Sequence, residues 1–404
     1  MKVLYLTYDG LTDPLGQSQV LPYIIGLVKK GFDFTIISFE KPTNFQKEES
    51  VINDIVKENK VSWDPLTYTK RPPIFSTIYD IIKLKKAIKI EVEKNSVSLV
   101  HCRSYITALV GLWTKKKYGI PFIFDMRGFW ADERIDGRIW DLNNFIHKKV
   151  YNYFKNKEKQ FLQEAAYTIS LTHAGKEEIS SWGLKKQSSI QVIPCCTDEN
   201  HFNISKNENK RSELGISSND FVISYLGSIG TWYMLDEMLD FFKILSLKNS
   251  NSKLLFVTRD DADFIFKKCK EKGISTEAVI VKSSSRKDVP AYINSSDVSI
   301  FFIKPVYSKK ASSPTKMGEI MNMGIPIVCN SGVGDVDIVM NKVMPELLVD
   351  NFNKNSYEQV ADSLKEFVKN KDIDKIVKTS VDYFSLEKGI ESYFQVYQSV
   401  LNLK

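Results

Sequence analysis

The chain has 404 residues, 43% of them hydrophobic and 26% charged; this excludes disordered and low-complexity classes and predicts two domains, since single cores seldom grow past roughly 250–300 residues. Its 19 glycines and 13 prolines are too few for a collagenous or linker-like chain. The formal net charge of +7 is concentrated in the first half, where residues 83–160 carry 17 Lys/Arg against 8 Asp/Glu, a basic excess able to face nucleic acid, an anionic membrane or an anionic substrate.

The start, MKVLYLTYDG, has no positive region followed by a long apolar run, and later apolar runs such as VSIFFI at 298–303 fall short of the ~18 residues that span a bilayer. Neither export nor insertion is expected. The five cysteines, at 102, 195, 196, 269 and 329, form no metal-binding spacing and fit a reducing cytoplasm.

Strands in the first half are predicted at VLYLTY (3–8), FTIISF (34–39), VSLVHC (97–102), PFIFD (121–125), YTISL (167–171) and SIQVIP (189–194), with helical patterns between them. Two of those helical stretches, IIKLKKAIKI (81–90) and FIHKKVYNYFKNKEK (145–159), interleave lysines with apolar residues, in the second Phe145, Val150, Tyr153 and Phe154, a pattern that suits either a solvated surface helix or an interfacial one. The polar run from PCCTDENHF (194–202) through NISKNENKRSELG (203–215) breaks the rhythm, and a domain boundary is expected near residue 195.

The second half repeats the alternation with FVISYLG (221–227), KLLFVT (253–258), AVIVK (278–282), VSIFFI (298–303), PIVCN (326–330) and ELLVD (346–350). From Ser385, Ile390, Tyr393, Phe394, Tyr397, Val400 and Leu401 share one face at helical steps, predicting a docked terminal helix over 385–404. The expected organisation is α/β: two doubly wound parallel-sheet domains, 1–195 and 196–384, facing across a cleft, with ligand at the carboxyl ends of the strands.

The most informative stretch is SSPTKMGEIMNMGIPIV, 312–328. Ser313 suits an N-cap and Pro314 the first helical position, so a helix with unpaired N–H groups is predicted there, an end that attracts phosphate. Lys316 in the first turn opposes the usual preference for acidic residues and predicts an anionic ligand. Glu319 is on the same face, where a carboxylate can accept from paired ribose hydroxyls; a capped helix with a surface Lys and Glu is the bland alternative.

The run SPTKMGEIMNMGIPIV, together with YLGSIG (225–230), VPAYINSSDVSIFFIKP (289–305), VIPCCTDENHF (192–202), YDGLTDPLGQSQVLPYI (8–24) and FDMRGFWADE (124–133), resembles the family-4 retaining glycosyltransferases of the GT-B fold. The resemblance implies transfer of a hexose-type sugar from a nucleotide diphosphate donor, UDP before GDP, held by the second domain, to an acceptor held mainly by the first. For a surface-polysaccharide enzyme, that acceptor is a lipid-linked oligosaccharide at the inner membrane face. It implies that Glu319 binds ribose, that Lys316 with Ser313 and the N–H groups around Thr315 grips the diphosphate, that Gly227 and Ser228 border the donor, and that Gly16 lets backbone approach its phosphates. No resident cofactor or metal is implied.

Three departures stand out. Ala311 replaces a family glutamate eight positions before Glu319, and the stretch 227–239 lacks the family's Arg and Lys, leaving Lys316 with help from Arg259 or Lys304. Arg127 stands where many members have histidine, either as a catalytic-site cation or paired with Asp132 or Glu133. Asp261 and Asp263 could bind metal but are expected to cap a helix, and of the four histidines only His101, ending a strand, invites attention. A GT-B epimerase or hydrolase and a non-catalytic nucleotide-sugar-binding subunit are the alternatives; nucleic acid is not an expected partner.

Overall fold

The computed structural model describes residues 1–206 and 208–402. Asn207 in the expected connection and Leu403 and Lys404 of the expected terminal helix lie outside the described residues. The chain divides into two compact units, Met1–Pro194 with Leu386–Lys404, and Cys195–Ser385.

The first unit is built on seven parallel strands: β1 (Lys2–Thr7), β2 (Asp33–Glu40), β3 (Ser62–Thr67), β4 (Val97–Arg103), β5 (Phe122–Asp125), β6 (Tyr167–Ser170) and β7 (Ile190–Val192). Their order is β3-β2-β1-β4-β5-β6-β7, with the winding reversing between β1 and β4. Helices cover the sheet, so its central strands are buried on both faces, as in the run from Phe34 to Phe39, where even Thr35 and Ser38 are buried. Sequence reasoning misses β3, whose SWDPLT carries Asp64 and Pro65. It lies at the sheet edge, where a proline costs no interior ladder bond.

The terminal helix, Leu386–Leu401, belongs to this unit. Ile390 occupies the space over Gly26, where an added Cβ would come within 2.3 Å of the isoleucine, so a bare backbone is required for the helices to meet. Tyr393 packs edge-on to Tyr23 at 5.3 Å between ring centroids, and Tyr397 against Phe32 at 5.2 Å.

The second unit has six parallel strands: β8 (Phe221–Leu226), β9 (Ser252–Val257), β10 (Val279–Lys282), β11 (Val298–Phe301), β12 (Ile327–Asn330) and β13 (Leu348–Val349), ordered β10-β9-β8-β11-β12-β13. Its reversal lies between β8 and β11. The two ends of the unit are joined, since Thr197 N–H donates to the Phe384 carbonyl at 2.7 Å.

The basic stretches belong to helices Phe75–Lys94 and Phe145–Glu164. Their apolar residues divide differently from the expectation: Phe154 is buried and Leu84, Ala87 and Ile88 face the core, whereas Phe75, Ile78, Tyr79 and Ile82 are exposed.

Candidate functional site

In the second unit the parallel strands deliver their carboxyl ends to one edge, and three loops there carry the predicted residues. β8 ends in Gly227, whose φ of +103° is a left-handed conformation that favours glycine. The bare Cα also makes room: a Cβ there would stand 3.3 Å from Lys316 Nζ.

Lys316 is in the first turn of helix Thr315–Asn322 and only 7% exposed. Its Nζ lies 3.6 Å from the Tyr233 ring centroid and 4.2 Å from that of Tyr225, and has no hydrogen-bond acceptor among the described residues. Aromatic faces attract the cation, but they do not replace lost hydration; burial drives the ammonium well below its ordinary pKa, with Glu319 opposing the shift. A buried donor aimed at no described acceptor, at the start of a helix whose Met317 N–H turns back to the Pro314 carbonyl at 3.0 Å, is an arrangement an anion can complete.

Glu319, one turn on, accepts from Arg286 Nη1 at 3.1 Å. Burial raises its pKa, and Arg286 and then Lys316 hold that rise back. Arg286 follows β10 in a short 3₁₀ turn and rests its guanidinium 5.4 Å above the Phe202 ring, while His201 Nε2 lies 3.0 Å from its carbonyl oxygen. Sequence reasoning missed Arg286. Its only signal was a basic residue shortly after the strand Val279–Lys282.

The structure corrects the expected cap at Ser313 and the expected loop at Gly16, and gives the surroundings of the other residues. Ser313 does not cap the helix: Thr315 is its first residue, Pro314 precedes it, and Ser313 Oγ accepts from the Cys195 N–H at 3.2 Å. Ser228 is committed to a carboxylate, its Oγ donating to Asp260 at 3.1 and 3.2 Å, and the Ile229 N–H donates to the same group. Gly16 lies not in a loop but in a short helix, Pro14–Gln19, and a Cβ there would meet the Gly10 carbonyl at 2.1 Å. Its bareness thus serves the chain's own packing. Ala311 is buried, in a 3₁₀ turn beside Lys309, whose Nζ sits 3.7 Å over Trp232. Asp261 caps helix Ala262–Glu271 by accepting from the Asp263 N–H at 3.0 Å. Tyr233 also lines a cavity of about 570 Å³ with Gly230, Asp260, Phe264 and Lys304; Lys316 and Glu319 do not reach it.

In the first unit a buried polar network gathers at the carboxyl ends of β4 and β5. Asp125 accepts from Tyr393 Oη at 3.1 Å and stands 3.3 Å from His101 Nε2, 3.7 Å from Arg127 Nη1 and 3.9 Å from Arg103 Nη1. His101 Nδ1 lies 2.6 Å from Tyr397 Oη. Burial would raise the Asp125 pKa, but Arg127, His101 and Arg103 outweigh it and hold the carboxyl below its usual range. Burial lowers the His101 pKa against the pull of Asp125, which favours a neutral ring.

Arg127 has φ +58° and Ser104, just after β4, φ +72°, both in the left-handed region that costs a residue other than glycine about 1–2 kcal/mol. Of the two acids weighed as structural partners of Arg127, Asp132 and Glu133, the first is engaged elsewhere, while Arg127 stands beside Asp125. Asp132 receives Tyr151 at 2.8 Å and Lys155 at 2.7 Å.

Residues 20–201 match the model for Glycosyltransferase Family 4 and residues 206–382 that for Glycosyl transferases group 1. No curated protein sequence matches the chain. Among solved structures, sucrose-phosphate synthase from Thermosynechococcus elongatus superposes with a TM-score of 0.76 at 13% identity, over 100% of both chains. Anabaena HepE in complex with UDP and glucose gives 0.70 at 13% identity, covering 98% of this chain and 99% of that one. The lipopolysaccharide outer core galactosyltransferase WaaB gives 0.63 at 14% identity, over 99% of each. With both units matched in order and the same pair of parallel-sheet domains found in these structures, the chain belongs to the glycosyltransferases of the GT-B fold, with a family-4 first unit and a group-1 second unit.

Proposed function

We propose that the chain is a retaining glycosyltransferase that moves a hexose-type sugar from a nucleotide diphosphate donor, UDP before GDP, to a lipid-linked oligosaccharide in surface-polysaccharide synthesis, working at the inner face of the cytoplasmic membrane. The observation that carries the donor half is the buried Lys316 Nζ, which has no acceptor and adjoins the bare Gly227 and the start of helix Thr315–Asn322. A diphosphate supplies the missing acceptor and the negative charge that offsets the repulsion between the Lys316 ammonium and the positive start of its helix. Glu319 supplies the carboxylate for the ribose hydroxyls. HepE, of the same fold, holds UDP and glucose.

In the proposed reaction the acceptor hydroxyl oxygen bonds to the anomeric carbon on the face from which the diphosphate leaves. The carbon–oxygen bond to the phosphate breaks, and the hydroxyl proton passes to a departing phosphate oxygen. Lys316 and the helix N–H groups stabilise the charge that develops there, a contribution of about 3–4 kcal/mol for a single well-placed donor. Arg127 lies at the carboxyl end of β5 with its charge partly met by Asp125, and its role is to attract an acceptor diphosphate or the leaving group.

The test is turnover of UDP- and GDP-sugars with a lipid extract as acceptor, followed by assignment of the product's anomeric configuration. A lipid-bound product that keeps the donor's configuration supports the reading. Free sugar released without acceptor points to a hydrolase, and binding without turnover to a non-catalytic subunit.

A further inference from the structure

Helix Phe75–Lys94 has two apolar faces. Leu84, Ala87 and Ile88 point into the first unit, as a helix on a sheet requires. On the opposite side Phe75, Ile78, Tyr79 and Ile82 are 71, 50, 56 and 58% exposed, at successive three- and four-residue steps, and Ile74 before them is exposed as well. A second exposed group is formed by Ile139, Leu142, Phe145, Ile146 and Tyr153, at the start of helix Phe145–Glu164.

The two groups share an edge of the first unit. Each helix joins parallel strands and therefore runs against them, so its first turns lie at the strands' carboxyl edge. Right-handed crossovers put both helices on one face of the sheet, and helix Ser104–Tyr118 packs between them.

The charge on this face is positive. Lys148 and Lys149 are exposed in the first turns of the second helix, where Lys149 Nζ sits 4.3 Å over the Phe145 ring, and Lys86 is exposed further along the first, beyond which Lys89 pairs with Glu93 at 3.6 Å. Over residues 70–94 there are seven Lys/Arg and three Asp/Glu, and one of those acids, Asp80, is buried against Tyr8.

We propose that the first turns of helices Phe75–Lys94 and Phe145–Glu164 form one docking edge that inserts Phe75, Ile78, Tyr79, Ile82, Phe145 and Ile146 into the interface of an anionic bilayer. Aromatic and isoleucine side chains enter the acyl boundary while the lysines meet the lipid phosphates, the composition of a surface-lying amphipathic segment rather than a protein interface core, from which lysine is depleted. The edge rests on the proposed function only in supplying a lipid-linked acceptor to the strand-carboxyl end of the unit.

The experiment is flotation of the full chain, without nucleotide or acceptor, on vesicles of phosphatidylcholine alone and of equal parts phosphatidylcholine and phosphatidylglycerol. The wild type floats with the anionic vesicles and weakens as salt rises. Ile78→Glu with Ile82→Glu, and separately Phe145→Glu with Ile146→Glu, lower its affinity about tenfold or more while circular dichroism and UDP affinity stay unchanged. Lys148→Glu with Lys149→Glu removes the preference for anionic vesicles. The proposal is overturned by a wild type that ignores vesicles, by apolar variants that float as the wild type does, or by a concentration-dependent dimer that these variants abolish, which would make the edge a contact between two copies. Because no nucleotide is present, these failures leave donor binding and sugar transfer standing and remove only their placement at the membrane. Loss of UDP binding in the wild type would overturn the sugar-transfer reading and leave this one standing.

Discussion

Arg286 Nη1 lies 3.1 Å from Glu319 Oε1, so the carboxylate that the family resemblance assigns to the donor ribose is already held by a cation. Burial pushes the Glu319 pKa up and Arg286 is the largest force against it. Arg286→Ala therefore raises this pKa further, and loss of donor binding on acidification sets in at a higher pH. We expect KM for the donor to rise about tenfold with a smaller change in kcat, and Arg286→Lys to recover part of it, as steady-state kinetics across the acid range will read. An unshifted acid limb would mean that Arg286 only packs on Phe202.

Lys316 sets function against stability. Its folded-state pKa lies well below the ordinary lysine value, so between the two the unfolded chain binds more protons and stability rises with pH. Lys316→Met removes that rise and raises Tm near neutral pH, while abolishing donor binding. Calorimetric melting across the neutral-to-alkaline range tests this, and a lower Tm in the variant would mean that the Tyr225 and Tyr233 faces already satisfy the ammonium.

Asp125 holds the terminal helix to β5 through Tyr393. Tyr393→Phe removes a donor from a buried carboxylate, at a cost of about 1–3 kcal/mol. Hydrogen exchange should then show helix Leu386–Leu401 opening before the sheet. Uniform protection in the variant would put the anchor in the packing of Ile390 on Gly26 instead.

Arg127→Ala is expected to lower transfer strongly, Arg127→Lys less so, with donor affinity unchanged in both. The lysine keeps the charge and loses the planar fork. Full specific activity in a destabilised Arg127→Ala protein would reduce Arg127 to a structural partner of Asp125.

Because the proposed diphosphate grip uses Lys316 and helix N–H groups, and Asp261 is engaged as a helix cap, activity should persist in EDTA and Asp261→Asn should cost little in turnover. Complete loss of activity that Mg²⁺ restores would contradict this.

The parallel-sheet alternation was legible because buried strands read as continuous β-branched and aromatic runs; β3 was not, since an edge strand tolerates the proline and charges that disqualify a central one. Lys316 stood out because a first-turn lysine offends the helix dipole; in the structure its Nζ is buried without a hydrogen-bond acceptor among the described residues. Ser313 failed because a serine before a proline can satisfy another N–H, here that of Cys195, as readily as cap its own helix. The Asp125 network was invisible in the linear sequence. Its members come from β4, β5 and a helix 268 residues beyond Asp125, and only His101 at a strand end hinted at it.

The most direct measurement is calorimetric titration of UDP, with uridine as control, into the wild type and Lys316→Ala. The diphosphate grip predicts that UDP binds the wild type and loses about 100-fold in affinity in the variant, equivalent to about 2.7 kcal/mol, while uridine is indifferent to the substitution. Equal UDP affinity in the two proteins would contradict it.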